Sequence, residues 1–195
     1  MMERFKKQVD FLIEIDKVKN ILRMTSIVDG SRRENDAEHS WSLAMMAVLF
    51  AEHVNENIDL LKVIKMVLIH DLVEIYAGDT FCFDEAGMQD KAAREQASAD
   101  KIFSLLESDQ GQELRHLWEE FESCETIEAE YAAMLDRLQP LIMNYVNEGG
   151  TWAQHNISVE QVYKRNQITL DKGPQVFKDF IRQVVEECVA KGYIK

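Results

Sequence analysis

Apolar side chains recur along this chain at three- and four-residue intervals almost from end to end, the spacing that gathers them on one face of an α-helix. A first helix is predicted over roughly residues 4 to 22, where Leu12, Ile15, Val18 and Leu22 follow that spacing. Asn35 with Glu38 three residues later forms a capping-box pair, which starts a second helix reaching to about His53. Asp59 opens a third. Its Met66-Val67-Leu68-Ile69 run is apolar all round and belongs deepest in the core, and Gly78 stops it. Amphipathic segments follow at about 91 to 107 and 112 to 122, the second with Leu114, Leu117, Trp118 and Phe121 in register. Thr126 caps the next helix, with Glu128 and Glu130 near its positive end, and Gly149-Gly150 closes it. A short helix from Ser158 and a last one from Pro174 to Gly192 finish the chain. With two prolines, eight glycines and no Ser/Gly-rich or repeated stretch, no linker is visible. The expectation is an all-α helical bundle, a single domain over residues 1 to 195 with the helices of 151 to 195 packed on the rest.

Composition narrows the partners. An apolar fraction of 46% over 195 residues is enough to enclose one sizeable core. The 22 basic residues face 35 acidic ones, a net charge of −13 that repels a nucleic-acid backbone and anionic membranes. A small anionic substrate is not excluded, because a bound divalent metal dominates the local field of a cleft. The longest wholly apolar run, Leu43 to Ala51, is too short to cross a bilayer, and the N-terminus has no signal-peptide pattern, so a cytoplasmic location is expected. Cys82, Cys124 and Cys188 lack metal-type spacing and read as ordinary thiols of a reduced compartment.

Several polar residues stand where apolar ones are expected. His39 lies four, seven and eight residues before Leu43, Met46 and Ala47, which puts it on the core-facing stripe of the second helix. His70 and Asp71 sit in the apolar centre of the third, and Glu74 is one turn beyond His70, on the same helical face. Small residues at 129, 132 and 133 let another helix approach Asp136 closely, and Pro140 is expected to kink the helix there. For Asp136 a buried pairing with an arginine or a cap is an equal alternative. Burying such groups costs several kcal/mol unless each finds a partner, and a divalent metal serves them all. Two imidazoles and two carboxylates suit Mn, Fe, Co, Ni or Zn, with positions left open for water and substrate.

The ordered set His39, His70-Asp71 and Asp136, each on its own helix, resembles the HD-domain metal-dependent phosphohydrolases. The likeness is closer to the small HD-type 5'-deoxynucleotidases and covers about residues 10 to 150. It is carried by Arg-Arg-Glu-Asn-Asp-Ala-Glu-His (32 to 39), His-Asp-Leu-Val-Glu (70 to 74), Gly78-Asp79, Leu-Trp-Glu-Glu-Phe-Glu (117 to 122) and Leu-Asp-Arg-Leu (135 to 138). The resemblance implies that His39, His70, Asp71 and Asp136 bind the metal and that Glu74 serves the attacking water. It implies that Asp79 meets the nucleoside sugar or a second metal such as Mg, and that Arg23, near the end of the first helix, holds the phosphate. Homodimers are usual in that branch. Some members exclude ribonucleotides with a Trp after that arginine, whereas this chain has Met24.

The expected reaction is hydrolysis of a nucleoside 5'-monophosphate to nucleoside and phosphate. The alternatives are another small phosphate ester, such as a nucleoside di- or triphosphate or a signalling nucleotide, and a nucleotide-binding sensor without turnover. Arg32 and Arg33 are further candidates for the phosphate, as are Lys91 and Arg94, with a solvated surface position the stronger expectation for all four. Phe81 and Trp41 are candidates for stacking on a base, with core packing the stronger expectation for Trp41. No motif marks the chain beyond about residue 151.

Overall fold

The structure, a computed structural model, describes residues 1–195. Helix α1 (Met2–Ile15) passes through a 3-10 turn (Asp16–Asn20) into strand β1 (Leu22–Ser26), which pairs antiparallel with β2 (Arg33–Asn35). Helix α2 (Asp36–Phe50) leads to α3 (Leu60–Ile69), a 3-10 segment (His70–Val73) and the short α4 (Glu74–Ala77). Then come α5 (Lys91–Phe103), α6 (Ser108–Ser123) and α7 (Ile127–Val146). Four further helices end the chain: α8 (Gly150–His155), α9 (Val159–Arg165), α10 (Gln167–Lys172) and α11 (Gln175–Ala190). The architecture is all-α apart from the one small hairpin.

Helices α2, α3 and α7 pack on one another and form the centre, with α6 against α3 and α7, and α10 and α11 against α7. Leu43, Ala47, Val63, Met66, Val67, Ala132 and Leu135 are fully buried at this junction. Small side chains at Ala129, Ala132 and Ala133 let the neighbours close on α7, and Asp136 lies on that crowded side. The helix runs unbroken through Pro140.

Local signals in the sequence place the helix starts well. Asn35 accepts from the Glu38 N–H while the Glu38 carboxylate accepts from the Asn35 N–H, so two orphan donors are satisfied at the end of α2 that carries His39. Ser158 and Gln161 form the same reciprocal pair at the start of α9, whereas Asp59 and Thr126 cap α3 and α7 by accepting from the Lys62 and Ala129 N–H groups alone. Gly78, at φ +76°, takes the chain out of α4 in a conformation that a residue with a Cβ rarely adopts.

Four expectations are corrected. The first helix stops at Ile15, so Arg23 belongs to a strand; Phe11 is its buried residue, while Leu12 is exposed. The third helix changes pitch at His70 instead of running on to Gly78. Leu68 is half exposed, so the 66 to 69 run is not apolar core all round. Trp41 is 66% exposed on the outer face of α2, not in the core.

Replacing Asn35 by Ala removes the acceptor for the Glu38 N–H. The expected loss is about 1 kcal/mol of unfolding free energy, measured by urea denaturation, with the helix content of the folded protein unchanged.

Candidate metal centre

Three elements bring the polar residues together. His39 projects from the first turns of α2, His70 and Asp71 from the 3-10 segment, and Asp136 from the middle of α7. All four are buried. One nitrogen or oxygen from each of His39, His70 and Asp136 falls within 4.8 Å of the others, and one oxygen from each of Asp36, Asp71 and Glu74 does the same. Asp136 Oδ1 is 3.1 Å from His39 Nε2 and 3.8 Å from His70 Nε2, and Asp71 Oδ1 is 3.1 Å from His70 Nε2.

The 3-10 pitch explains this division. In such a turn residues three apart eclipse one another, so Asp71 lines up with Glu74, while His70 is turned toward His39 and Asp136. Glu74 therefore shares a cluster with Asp71 and Asp36, where an uninterrupted α-helix would have placed it over His70.

The donor set fits a divalent cation. Nδ1 of His70 lies 2.9 Å from the Val67 carbonyl, which only accepts, so that nitrogen carries a proton and Nε2 is turned inward. There it is buried with no hydrogen-bond partner, although carboxylate oxygens surround it. Burial opposes protonation of His70, but Asp71 and Asp136 prevail and push it up to about 10. A proton and a dication satisfy the same need. His39, in contrast, is lowered to about 4 by burial and by the field of Arg23, and so is neutral at pH 7. Asp71 stays below the usual carboxylate range despite burial because of His70 and Arg23, and Asp136 does so through His39, His70 and Arg165.

The second cluster is differently poised. Both oxygens of Asp36 and Oε2 of Glu74 are buried without partners. Burial and the charge of Asp71 push Asp36 up to about 8, and burial with Asp71 and Asp36 holds Glu74 well above its ordinary value. Two carboxyls in this state either keep protons or share a cation. Asp79, half-buried beyond Gly78, is raised by burial as well.

Each aspartate's outer oxygen meets an arginine. Asp71 Oδ2 accepts from Arg23 Nη1 at 2.9 Å, and Asp136 Oδ2 accepts from Arg165 Nη2 at 3.0 Å. Both expectations for Asp136 thus meet in one residue, since one oxygen faces the histidines and the other an arginine. Arg23 is mostly buried and lies 3.6 Å from Asp36. A cavity of about 300 Å³ opens beside the cluster, with Arg23, Met24, Glu74, Asp79, Phe81, Lys91, Trp152 and Arg165 among its walls.

The other candidates fall elsewhere. Arg32 is exposed and paired with Glu38, and Arg33 donates to the carbonyls of Leu22 and Arg23, so neither lines the cavity. Arg94 binds the Ala77 and Gly87 carbonyls and Thr80, pinning the loop that carries Asp79. Lys91 does line the cavity, paired with Glu95 at 2.6 Å. Phe81 packs against His155 with ring centroids 4.8 Å apart. Sequence reasoning missed Glu34, Asp36, Gln139 and Arg165; only Gln139 carried a signal, three residues after Asp136 on one helix face.

Residues 15–177 match the profile of the HD domain, so the likeness runs past the motif-bearing stretch into the C-terminal helices. The chain is 32% identical over 146 residues to the 5'-deoxynucleotidase HDDC2 of Dictyostelium discoideum, covering 72% of this chain and 77% of that protein. It is 26% identical over 136 residues to the 5'-deoxynucleotidase HDDC2 of Bos taurus, covering 69% of this chain but only 64% of the bovine protein, under two thirds of its length. A crystal structure of a predicted metal-dependent phosphohydrolase from Magnetospirillum magnetotacticum MS-1 superposes with a TM-score of 0.91 at 46% identity, over 98% of this chain and 95% of that one.

Asp71→Ala removes a carboxylate from the second cluster and deprives Arg23 and His70 of their nearest anion. Metal content by elemental analysis is expected to fall to background, with a lower melting temperature. Metal retained at the wild-type level would take Asp71 out of the ligand set.

Proposed function

The chain belongs to the HD-domain family of metal-dependent phosphohydrolases, and we propose that it hydrolyses nucleoside 5'-monophosphates to nucleoside and phosphate. The observation that carries this reading is the cavity itself, where His70, Asp71, Glu74, Asp136, Arg23 and Asp79 face a space of about 300 Å³ walled by Phe81 and Trp152. The names of the 5'-deoxynucleotidase relatives favour the same substrate class.

In this reading His39, His70, Asp71 and Asp136 hold the divalent ion. Mn, Fe, Co, Ni and Zn all suit that set. Asp36, Glu74 and Asp79 offer oxygens for a second, harder ion such as Mg. The bound ion supplies Lewis acidity, which polarises a phosphoryl oxygen and acidifies water. Glu74, whose carboxylate shares the second cluster with Asp71 and Asp36, takes the proton of the attacking water. Arg23 neutralises charge on the phosphoryl group, held in place by Asp71 and facing Asp36. The new P–O bond forms from the water oxygen as the bond to the nucleoside oxygen breaks; that oxygen leaves with a proton drawn from solvent, and Glu74 returns the proton it took to solvent. Phe81 stacks on the base and Asp79 accepts from the sugar. Met24 lines the cavity next to Arg23, and its flexible thioether gives little reason to reject a ribose 2'-hydroxyl.

One observation favours a second reading. Arg137 and Arg165 also line the cavity and add two guanidinium groups, which suits an ester with more than one phosphate. A phosphate-release screen over nucleoside mono-, di- and triphosphates, ribo and deoxy, with Mn, Co, Ni and Mg separates the two. Tight nucleotide binding without turnover under any metal would make the protein a sensor.

A homodimer belongs to this proposal. Trp41, Met45, Val48 and Leu49 are exposed along the outer face of α2, with Leu61 and Leu68 exposed on the adjoining α3. A contiguous apolar stripe of this kind marks an interaction surface. Light scattering is expected to give twice the chain mass of 22.6 kDa, and Leu49→Lys to return it to a monomer.

Glu74→Gln keeps shape and hydrogen bonding but loses the base. Turnover is expected to fall by roughly 10²- to 10⁴-fold, with the metal at the histidine cluster retained. Full activity in this variant would leave Glu74 a core carboxylate, and loss of that metal would make it a ligand.

A further inference from the structure

We propose that Glu34 sets the tautomer of His39 from a distance, through the side-chain amide of Gln139, and so commits the ring to present a bare Nε2 to the cluster. The inference rests on reading His39, His70 and Asp136 as ligands. It adds Glu34 and Gln139 as positioning residues.

The three side chains form a buried line. Glu34 on β2, Gln139 on α7 and His39 on α2 are 3%, 1% and 0% exposed. Gln139 Nε2 donates to Glu34 Oε1 at 2.7 Å, and Gln139 Oε1 faces His39 Nδ1 at 3.1 Å. Glu34 itself comes no nearer than 3.7 Å to that nitrogen, so the amide is what touches the ring.

A primary amide on its own is ambiguous, because one end donates and the other accepts. Turned one way, Gln139 asks His39 for a proton on Nδ1; turned the other, it asks for a lone pair. Glu34 removes the choice. Its Oε1 accepts, so the amide nitrogen goes to Glu34 and the oxygen is left for His39. Burial lifts Glu34 to about 7 against the pull of Arg23, yet the neutral acid with its proton on Oε2 keeps Oε1 an acceptor. An amide oxygen only accepts, so His39 carries its proton on Nδ1 and its lone pair on Nε2.

That lone pair points at another acceptor. Nε2 of His39 lies 3.1 Å from Oδ1 of Asp136, and two acceptors that close repel, which an ion held by both would relieve. In His70 the Val67 carbonyl likewise holds a proton on Nδ1 and leaves Nε2 to face the cluster. One histidine is thus set by the backbone and the other by a two-residue relay. The other oxygen of Glu34 faces the Thr25 hydroxyl at 3.4 Å and Arg23 Nε at 3.8 Å, so the same carboxylate also braces the arginine of the cavity.

The test reads the tautomer and the metal separately. In the metal-free protein at neutral pH, ¹⁵N shifts of labelled histidines are expected to show His39 with a pyrrole-type Nδ1 and a pyridine-type Nε2. The reverse assignment overturns the proposal, whatever the variants do. Co²⁺ affinity is then measured by competition with a fluorescent chelator for Glu34→Leu, Gln139→Met, the double variant and Glu34→Gln. Each of the first two is expected to bind about 10- to 100-fold more weakly. The double variant is expected to lose no more than the worse single one, because the two residues act in series. Glu34→Gln, whose amide oxygen still accepts from Gln139, is expected to restore most of the affinity. Additive losses, or Glu34→Gln as weak as Glu34→Leu, would overturn the relay. If the wild type binds no Co²⁺, Mn²⁺ or Zn²⁺, the metal reading fails, while the ¹⁵N shifts still decide the tautomer.

Discussion

Six carboxyl groups, those of Glu34, Asp36, Asp71, Glu74, Asp79 and Asp136, are buried or half-buried around one small volume, and the guanidinium groups of Arg23, Arg165 and, at 4.0 Å, Arg137 are paired with them there. Negative charge in excess cannot stay in a poorly solvated interior; it is cancelled by protons or by metal. The shifts divide along that line. Asp36, Glu74, Glu34 and Asp79 are raised, whereas Asp71 and Asp136, which face the histidines and arginines, are lowered. The first group retains protons readily; the second is ready-made for a cation. Helices α2, α3 and α7 could pack more simply around apolar side chains at these positions, and a buried ionic arrangement is weak evidence for stability. Its persistence at the junction of three helices points to chemistry.

The scaffold meets this constraint by supporting every inner group from behind. Val67 holds His70, Gln139 holds His39, Arg23 holds Asp71 and Arg165 holds Asp136. Outer partners of this kind fix the orientation of ligands and tune their basicity. Two of the four supports, Gln139 and Arg165, come from α7 and α9, far along the chain from the His-Asp pair. The hairpin has a similar purpose. Its strands are short and polar, but they hold Arg23 and Glu34 against the cluster and deliver the chain to the Asn35 cap.

Much of this was legible in the sequence, and the remainder was hidden for identifiable reasons. The caps at Asn35, Asp59, Thr126 and Ser158 are local, so pattern alone found them. His39 was found because it interrupts an apolar stripe, and Asp136 because small residues flank it. The face of Glu74 was misjudged because a change from α to 3-10 pitch leaves no compositional mark. Trp41 was misplaced because α2 is apolar on both sides, and periodicity cannot say which side is inside. Arg23 was assigned to a helix because Leu22 to Ser26 shows no clean alternation. Glu34, Asp36 and Arg165 look like ordinary surface residues in sequence; only the tertiary fold buries or engages them. The resemblance to a known family supplied the roles of Glu74, Asp79 and Arg23, which spacing alone did not.

The ion pair between Asp136 and Arg165 also orders events in time. A ribosome releases the chain from its N-terminus, so both histidines and both aspartates of the cluster emerge well before Arg165 does. Until α9 has been made, the outer oxygen of Asp136 lacks its nearer guanidinium, that of Arg165 at 3.0 Å, and has only the neighbouring Arg137 at 4.0 Å. The last quarter of the polypeptide therefore supplies one wall of the cavity, through Thr151, Trp152, Val162, Arg165 and Asn166, and in the nascent chain the four inner residues exist before that wall does.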